Sequence, residues 1–147
     1  AFDDFSDGKK PVTISYDFTY KDCLEEIGDK IYLEPLLYLG IDENEFNETK
    51  RLYPIDFRYP VSKTFTLNID IPEGYKIEKL PEAKKISIQD NVGSFSFNNN
   101  SNGNTIQMSL QVDFNQALLR PAYYDGFKEM YTEILKISQS KIILSKI

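Results

Sequence analysis

The chain has 147 residues, with 17 basic and 23 acidic side chains, a net charge of −6, no histidine and one cysteine. That length suits a single domain with one ordinary core, and no apolar run approaches the ~20 residues that a membrane-spanning helix needs. The acidic balance lacks the cationic footprint that displaces counterions from nucleic acid, so a nucleic-acid partner is excluded and an anionic membrane surface disfavoured.

Sixteen Ile stand against four Ala, alongside ten Tyr and ten Phe. β-branched and aromatic side chains suit a pleated, half-buried surface, which points to β structure. Residues 1–11 are polar, carry Gly8 and Pro11, and read as a linker or disordered end, leaving 12–147 as one domain. Val12, Ile14, Tyr16, Phe18 and Tyr20 then alternate with polar residues, the pattern of a strand with one buried face. Lys21 to Asp29 is a charged stretch ending in a turn at Gly28. Ile31 to Leu39 is apolar but broken by Pro35, which cannot donate to a ladder; two short pieces or an edge strand are predicted there. Asp42 to Lys50 is acidic and lacks the central glycine and spacing of a calcium loop, so a solvated loop is expected.

Two Tyr-Pro steps, Tyr53-Pro54 and Tyr59-Pro60, bias both tyrosines to extended backbone. Phe65, Leu67, Ile69 and Ile71 alternate with Thr64, Thr66, Asn68 and Asp70. Pro72-Glu73-Gly74 reads as a type II turn into a returning strand, Tyr75 to Leu80. Short strands follow at Ile86–Ile88 and Phe95–Phe97, with a turn between them. Asn98 to Asn104 is a loop whose Asn-Gly step can reverse the chain into Ile106, Met108, Leu110, Val112 and Phe114. The period then lengthens. Tyr123, Phe127, Met130, Tyr131, Ile134 and Ile137 recur every three or four residues after Pro121, predicting an amphipathic helix over 121–138 with Asp125, Lys128, Glu129, Thr132 and Glu133 outward. Lys141 to Ile147 reads as a last strand or a helical continuation, with the strand favoured. The fold class that follows is mainly β: an antiparallel β-sandwich of about seven to nine strands with one amphipathic helix near the C-terminus.

Without histidine, Ser-His-Asp and Cys-His chemistry lose their general base, and zinc sites built on His or clustered Cys are out of reach. No phosphate-binding glycine loop is present. A carboxylate pair can hydrolyse a glycosidic bond, and Asp56 with Asp70 is the pair the sequence offers, though nothing brings the two together. Cys23 has no histidine to activate it. No catalytic residue, cofactor or metal site is expected.

Three stretches together carry a resemblance: RLYPIDFRYP at 51–60, LNIDIPEGYKIEKLPE at 67–82 and FKEMYTEILKISQSKIILSKI at 127–147. They resemble a C-terminal β domain of unassigned function that follows the transglutaminase-like domain in bacterial envelope proteins. The resemblance covers roughly residues 12–147, and its most specific part is the Arg-x-Tyr-Pro segment followed by a β-hairpin with the Pro-Glu-Gly-Tyr turn. It implies an accessory domain, an extracytoplasmic setting and a preceding transglutaminase-like domain of the same polypeptide as partner. The catalytic residues of that family belong to the preceding domain, and Cys23 matches none of them. The chain opens on Ala1, as a processed or excised piece would, so the lack of a signal pattern does not point to the cytoplasm.

Three readings of function follow. The first is a non-catalytic accessory or interaction domain that touches its neighbour through Arg51, Tyr53, Asp56, Arg58 and Tyr59, since Arg and Tyr are enriched at interface hot spots. The second is an independent carbohydrate- or peptide-binding sandwich that uses exposed tyrosines. The third and weakest is a carboxylate-based hydrolase.

Overall fold

The computed structural model describes Ile14, Ser15, Asp17, Thr19 and residues 23–147. The linker reading of 1–11 and nearly all of the predicted 12–20 strand lie outside the described residues. Ile14, the one apolar member of that alternation that is described, is 54% exposed rather than buried.

Among the described residues the chain forms ten strands in three antiparallel sheets and one long helix. β1 (Leu24–Ile27) and β2 (Lys30–Leu33) are a hairpin closed by Gly28, at φ +63°, and Asp29. The charged stretch before the Gly28 turn therefore holds a strand, to which the sequence pattern assigned no element. After β2 the buried Pro35 ends the ladder, and Leu37–Leu39 form a 3-10 turn with Leu37 at φ +50°. The second apolar piece is thus not a strand. Nor is β2 an edge, since it lies between β1 and β10.

β3 (Ile55–Asp56) pairs with β9 (Leu118–Leu119) in a two-stranded sheet. β4 (Val61–Asp70) pairs with β8 (Thr105–Phe114) along all ten residues, and β8 pairs in turn with β7 (Gly93–Asn102), which pairs with β6 (Lys84–Ser87). The β7–β8 hairpin closes on Gly103 and Asn104, with Gly103 at φ +60°, so Asn98 to Asn102 continue the strand instead of looping. A glycine at positive φ in the first loop position matches the twist of the flanking strands.

The Pro72–Gly74 turn is present, with Gly74 at φ +84° and the Tyr75 N–H donating to the Pro72 carbonyl over 3.2 Å. It does not close a hairpin. β5 (Tyr75–Lys79) pairs with β10 (Ile142–Lys146) in the other large sheet, while β4 stays with β8. The expectation that β5 returns along β4 is corrected: the Ile71 N–H still bonds Asn104 O, but Ile71 itself is buried and the turn carries the chain across the core. β10 is the predicted C-terminal strand, and it sits centrally between β2 and β5.

The two four-stranded sheets share one core. Ile31, Leu33, Ile142 and Leu144 face it from one side, and Phe95, Phe97, Ile106, Met108 and Leu110 from the other. The helix α1 (Tyr124–Ser138), led in by the 3-10 turn Pro121–Tyr123, buries Phe127, Met130, Ile134 and Ile137 in the same cluster. The stripe follows the predicted spacing, with Asp125 in the first turn and Lys136 in the last, where each complements the helix dipole. Phe65, Leu67 and Ile69 are only half-buried: among the described residues β4 is the edge of its sheet, with no strand beyond it.

The acidic 42–50 loop is not simply solvated. The Asn44 amide donates to Lys128 O (3.3 Å) and Thr132 Oγ1 (3.1 Å), and Lys128 Nζ donates to the carbonyls of Asn47 and Glu48, both at 3.1 Å. This strap half-buries Lys128 and Thr132, which the helical pattern placed outward. Phe46 at its centre packs on the rings of Phe127 and Tyr131, each 4.6 Å away.

Candidate functional site

The residues singled out between Arg51 and Pro60 lie on one bent segment, shaped by a short-range device. The Asp56 Oδ1 accepts the backbone N–H of Arg58 (2.7 Å), and Arg58 takes φ +67°, a left-handed conformation that side chains other than glycine rarely adopt. Pro60 follows and biases Tyr59 away from the helical region. The resulting bend sends neighbouring side chains opposite ways. Phe57, whose N–H is fixed by the Ala117 carbonyl at 2.8 Å, turns inward and stacks on Phe114 with centroids 4.5 Å apart. Tyr59 turns outward.

The five residues of the predicted contact separate accordingly. Arg51 is half-buried: its Nε donates to Tyr53 O (3.2 Å) and its guanidinium lies 5.8 Å from the ring centre of Tyr124 at the start of α1. Asp56 is exposed but engaged with the Arg58 backbone, and no ion pair joins it to either arginine. Tyr53 and Tyr59 are 78% and 66% exposed. Two residues not singled out from the sequence join them: Leu52, 82% exposed, and Leu118 of β9, 50% exposed and paired with Asp56. The signal for Leu52 lay in its position between Arg51 and Tyr53, both already selected. Leu118 carried none, since only the β3–β9 pairing brings it to this segment. Leucines at such exposure leave apolar area in water that burial would stabilise by about 25 cal/mol per Å².

Beside this segment an apolar cleft of about 380 Å³ opens between β4, β8 and α1. Phe57, Phe65, Leu110, Phe114 and Tyr131 line it, with Tyr59 and Lys63, its one charged lining residue, contributing as well. Burial, and secondarily the nearby Glu45 carboxylate, push the Tyr131 phenol above its ordinary pKa, so it stays neutral at physiological pH. The cleft thus offers apolar and aromatic surface, one cation and the neutral Tyr131 hydroxyl; it fits a bulky apolar group better than a polar substrate.

The two carboxylates considered for hydrolysis are not brought together. β4 alone separates Val61 from Asp70 by roughly 30 Å, and Asp56 lies beyond the Val61 end, beside Leu118. A glycosidase pair needs its carboxylates within about 5–10 Å. Asp70 instead accepts the Thr105 hydroxyl at 3.0 Å. Cys23 is half-buried just before β1. Among the described residues no three His, Cys, Asp or Glu side chains gather as a metal site, and no helix is long and apolar enough to cross a membrane.

Comparison with known proteins agrees with this architecture. The model of a Domain of Unknown Function with a solved structure, DUF3858, matches residues 29–144. Among solved structures, the chain is similar to one described as a putative protease from Parabacteroides distasonis ATCC 8503, with a TM-score of 0.60 and 19% identity over 79% of this chain. That likeness is one of fold. The match spans 23% of the larger protein's length. No curated protein matches the chain.

Proposed function

Because the chain belongs to the DUF3858 family, whose name carries no activity, we propose from its surface that it is a non-catalytic accessory domain that docks onto a neighbouring domain of a longer polypeptide. The observation that carries this reading is the exposure of Leu52, Tyr53, Tyr59 and Leu118 on one bent segment and the strand paired with it, next to an apolar cleft. Buried aromatic anchors seated in pockets, with arginine nearby, are how interfaces concentrate their binding energy. The similar solved structure supports a modular setting, since the matched fold is 23% of that chain. The Arg-x-Tyr-Pro and Pro-Glu-Gly-Tyr stretches favour a transglutaminase-like domain as the neighbour and an extracytoplasmic location. In this reading Arg51 and Asp56 shape the segment, while Tyr53, Arg58 and Tyr59 make the contact.

The test compares the isolated domain with the longer polypeptide. Tyr53→Ala and Tyr59→Ala should leave the thermal midpoint of the isolated domain within about 1 °C, because exposed side chains lose little on truncation. In the longer polypeptide the same changes should speed limited proteolysis between the domains severalfold. Unfolding of the isolated domain, with interdomain proteolysis unchanged, would make the segment a structural element only.

A further inference from the structure

The outward face of the β4–β8–β7–β6 sheet has an unusual composition for a chain in which 27% of residues are charged. Reading across the register, successive rows are Thr64, Gln111, Ser96 and Lys85; then Thr66, Ser109 and Asn98; then Asn68, Gln107 and Asn100. Hydroxyls and amides fill these rows, with Lys85 as their single charge and no aliphatic or aromatic side chain. The outward face of the other large sheet differs: Glu25, Lys30 and Lys76 lie on it beside Ile27, Tyr32 and Ile143, and Lys30 pairs with Glu78 at 2.6 Å.

Hydrogen bonding divides the face further. At one end Asp113 accepts from Ser62 (2.6 Å), Gln111 (2.9 Å) and Ser94 (3.4 Å), and at the other Asp70 accepts from Thr105 (3.0 Å). These carboxylates are occupied by their own neighbours. Between them Thr66, Asn68, Asn98, Gln107 and Ser109 make no side-chain hydrogen bond to any other described residue, and they line one concavity of about 440 Å³. Each amide both donates and accepts, as does each hydroxyl. The short Thr, Ser and Asn side chains among them lose less conformational freedom on binding than Lys or Glu would.

We propose that this concavity binds a neutral polysaccharide chain. A polyol presents donors and acceptors in every direction and carries no charge, which matches the groups left unused here. A protein partner would call for the aromatic and arginine anchors of an interface core, and the concavity has none. An anionic polymer would call for cations, and the nearest is Lys85 at the margin. Binding by hydrogen bonds alone is weak per site and gains from the repeats of a polymer. The concavity shares no lining residue with the apolar cleft, so this inference stands apart from the docking role.

The test is affinity electrophoresis of the whole 147-residue chain through gels carrying a β-glucan, an α-glucan, a mannan or a xylan, with polygalacturonate as the anionic control. Retardation is expected in at least one neutral gel and not in polygalacturonate. The double variant Asn98→Ala, Gln107→Ala should keep its thermal midpoint and weaken the apparent Kd roughly tenfold or more, as loss of two hydrogen bonds implies. Absence of retardation in all four neutral gels overturns the proposal. So does retardation that the double variant leaves unchanged, or that polygalacturonate reproduces.

Discussion

Phe127→Ala should be among the most damaging single truncations in this domain. Its ring is fully buried, and four aromatic neighbours surround it: Phe46 at 4.6 Å, Tyr131 at 4.8 Å, Phe114 at 5.5 Å and Phe57 at 6.1 Å. Truncating a buried Phe costs about 3–5 kcal/mol, the transfer free energy of the lost atoms plus a term for the cavity left behind. Here the cavity wall comes from α1, the 42–50 strap, β8 and the segment after β3. No single element can shift to close it, so the expected cost is in the upper part of that range, about 4–5 kcal/mol. Against a total stability of about 5–15 kcal/mol this is roughly a quarter or more. Urea unfolding followed by far-UV circular dichroism reads it as a lowered midpoint at unchanged m. Phe127→Leu, which keeps much of the volume, should cost about 1.5 kcal/mol or less and guards against a variant that does not fold. Ile69→Ala provides the contrast: the side chain is half-buried on the edge strand β4, and about 1–2 kcal/mol is expected. Equal costs at the two positions, or less than 1.5 kcal/mol for Phe127→Ala, would refute the view that the helix–strap–sheet junction is the most tightly packed part of the core.

The same substitution at two glycines should have opposite signs. At Gly126, in the first turn of α1, a Cβ would meet Ile88 Cγ2 at an ordinary 3.4 Å, and alanine should stabilise by about 0.5–1 kcal/mol. At Gly93 it would lie 2.9 Å from Phe114 Cδ1 and 3.0 Å from the Asp113 carbonyl, and should destabilise by about 1–3 kcal/mol; a reversed order of thermal midpoints would contradict both readings. Tyr124 is buried with its hydroxyl unpartnered, so Tyr124→Phe should be neutral or stabilising by up to about 1 kcal/mol in urea unfolding, and a clear loss would reveal a bond to that hydroxyl. Hydrogen bonds from Lys136 first and Lys84 second hold the Glu133 carboxyl below its ordinary pKa. A folded-state pKa below the unfolded value stabilises at pH above the unfolded value, and that contribution disappears as pH falls through the folded value. The stability gap between wild type and Glu133→Gln, under about 1 kcal/mol for such solvent-screened pairs, should therefore shrink as pH drops below about 4.5, and a gap constant to pH 3 would rule the linkage out.

The candidate site was partly legible. Tyr-Pro steps bias the backbone to extended conformations and mark one proline-punctuated segment; Tyr53 and Tyr59 were selected on it because Tyr, like Arg, is enriched at interface hot spots. Arg51 and Asp56 were selected by residue type, which does not say whether a polar group points at a partner or at its own backbone. Here the first lies over Tyr124 and the second accepts the Arg58 N–H.

By itself the sequence determined the elements whose pattern is local. Period-two alternation marked β4 and β8, and a three-to-four period marked α1, because each repeat decides which side chains share a face whatever lies opposite. Only the tertiary structure decided what lies opposite. Alternation is identical for a strand at an edge and one in the middle, so Phe65 and Ile106 look alike in sequence while one is half-buried on β4 and the other fully buried on β8. A Pro-Glu-Gly turn reverses the chain but does not choose between pairing back and crossing the core. That choice was made by β10, some seventy residues later, which takes β5 as its neighbour and leaves β4 to β8. Strand pairing is a contact between distant residues, and its free energy belongs to both partners at once.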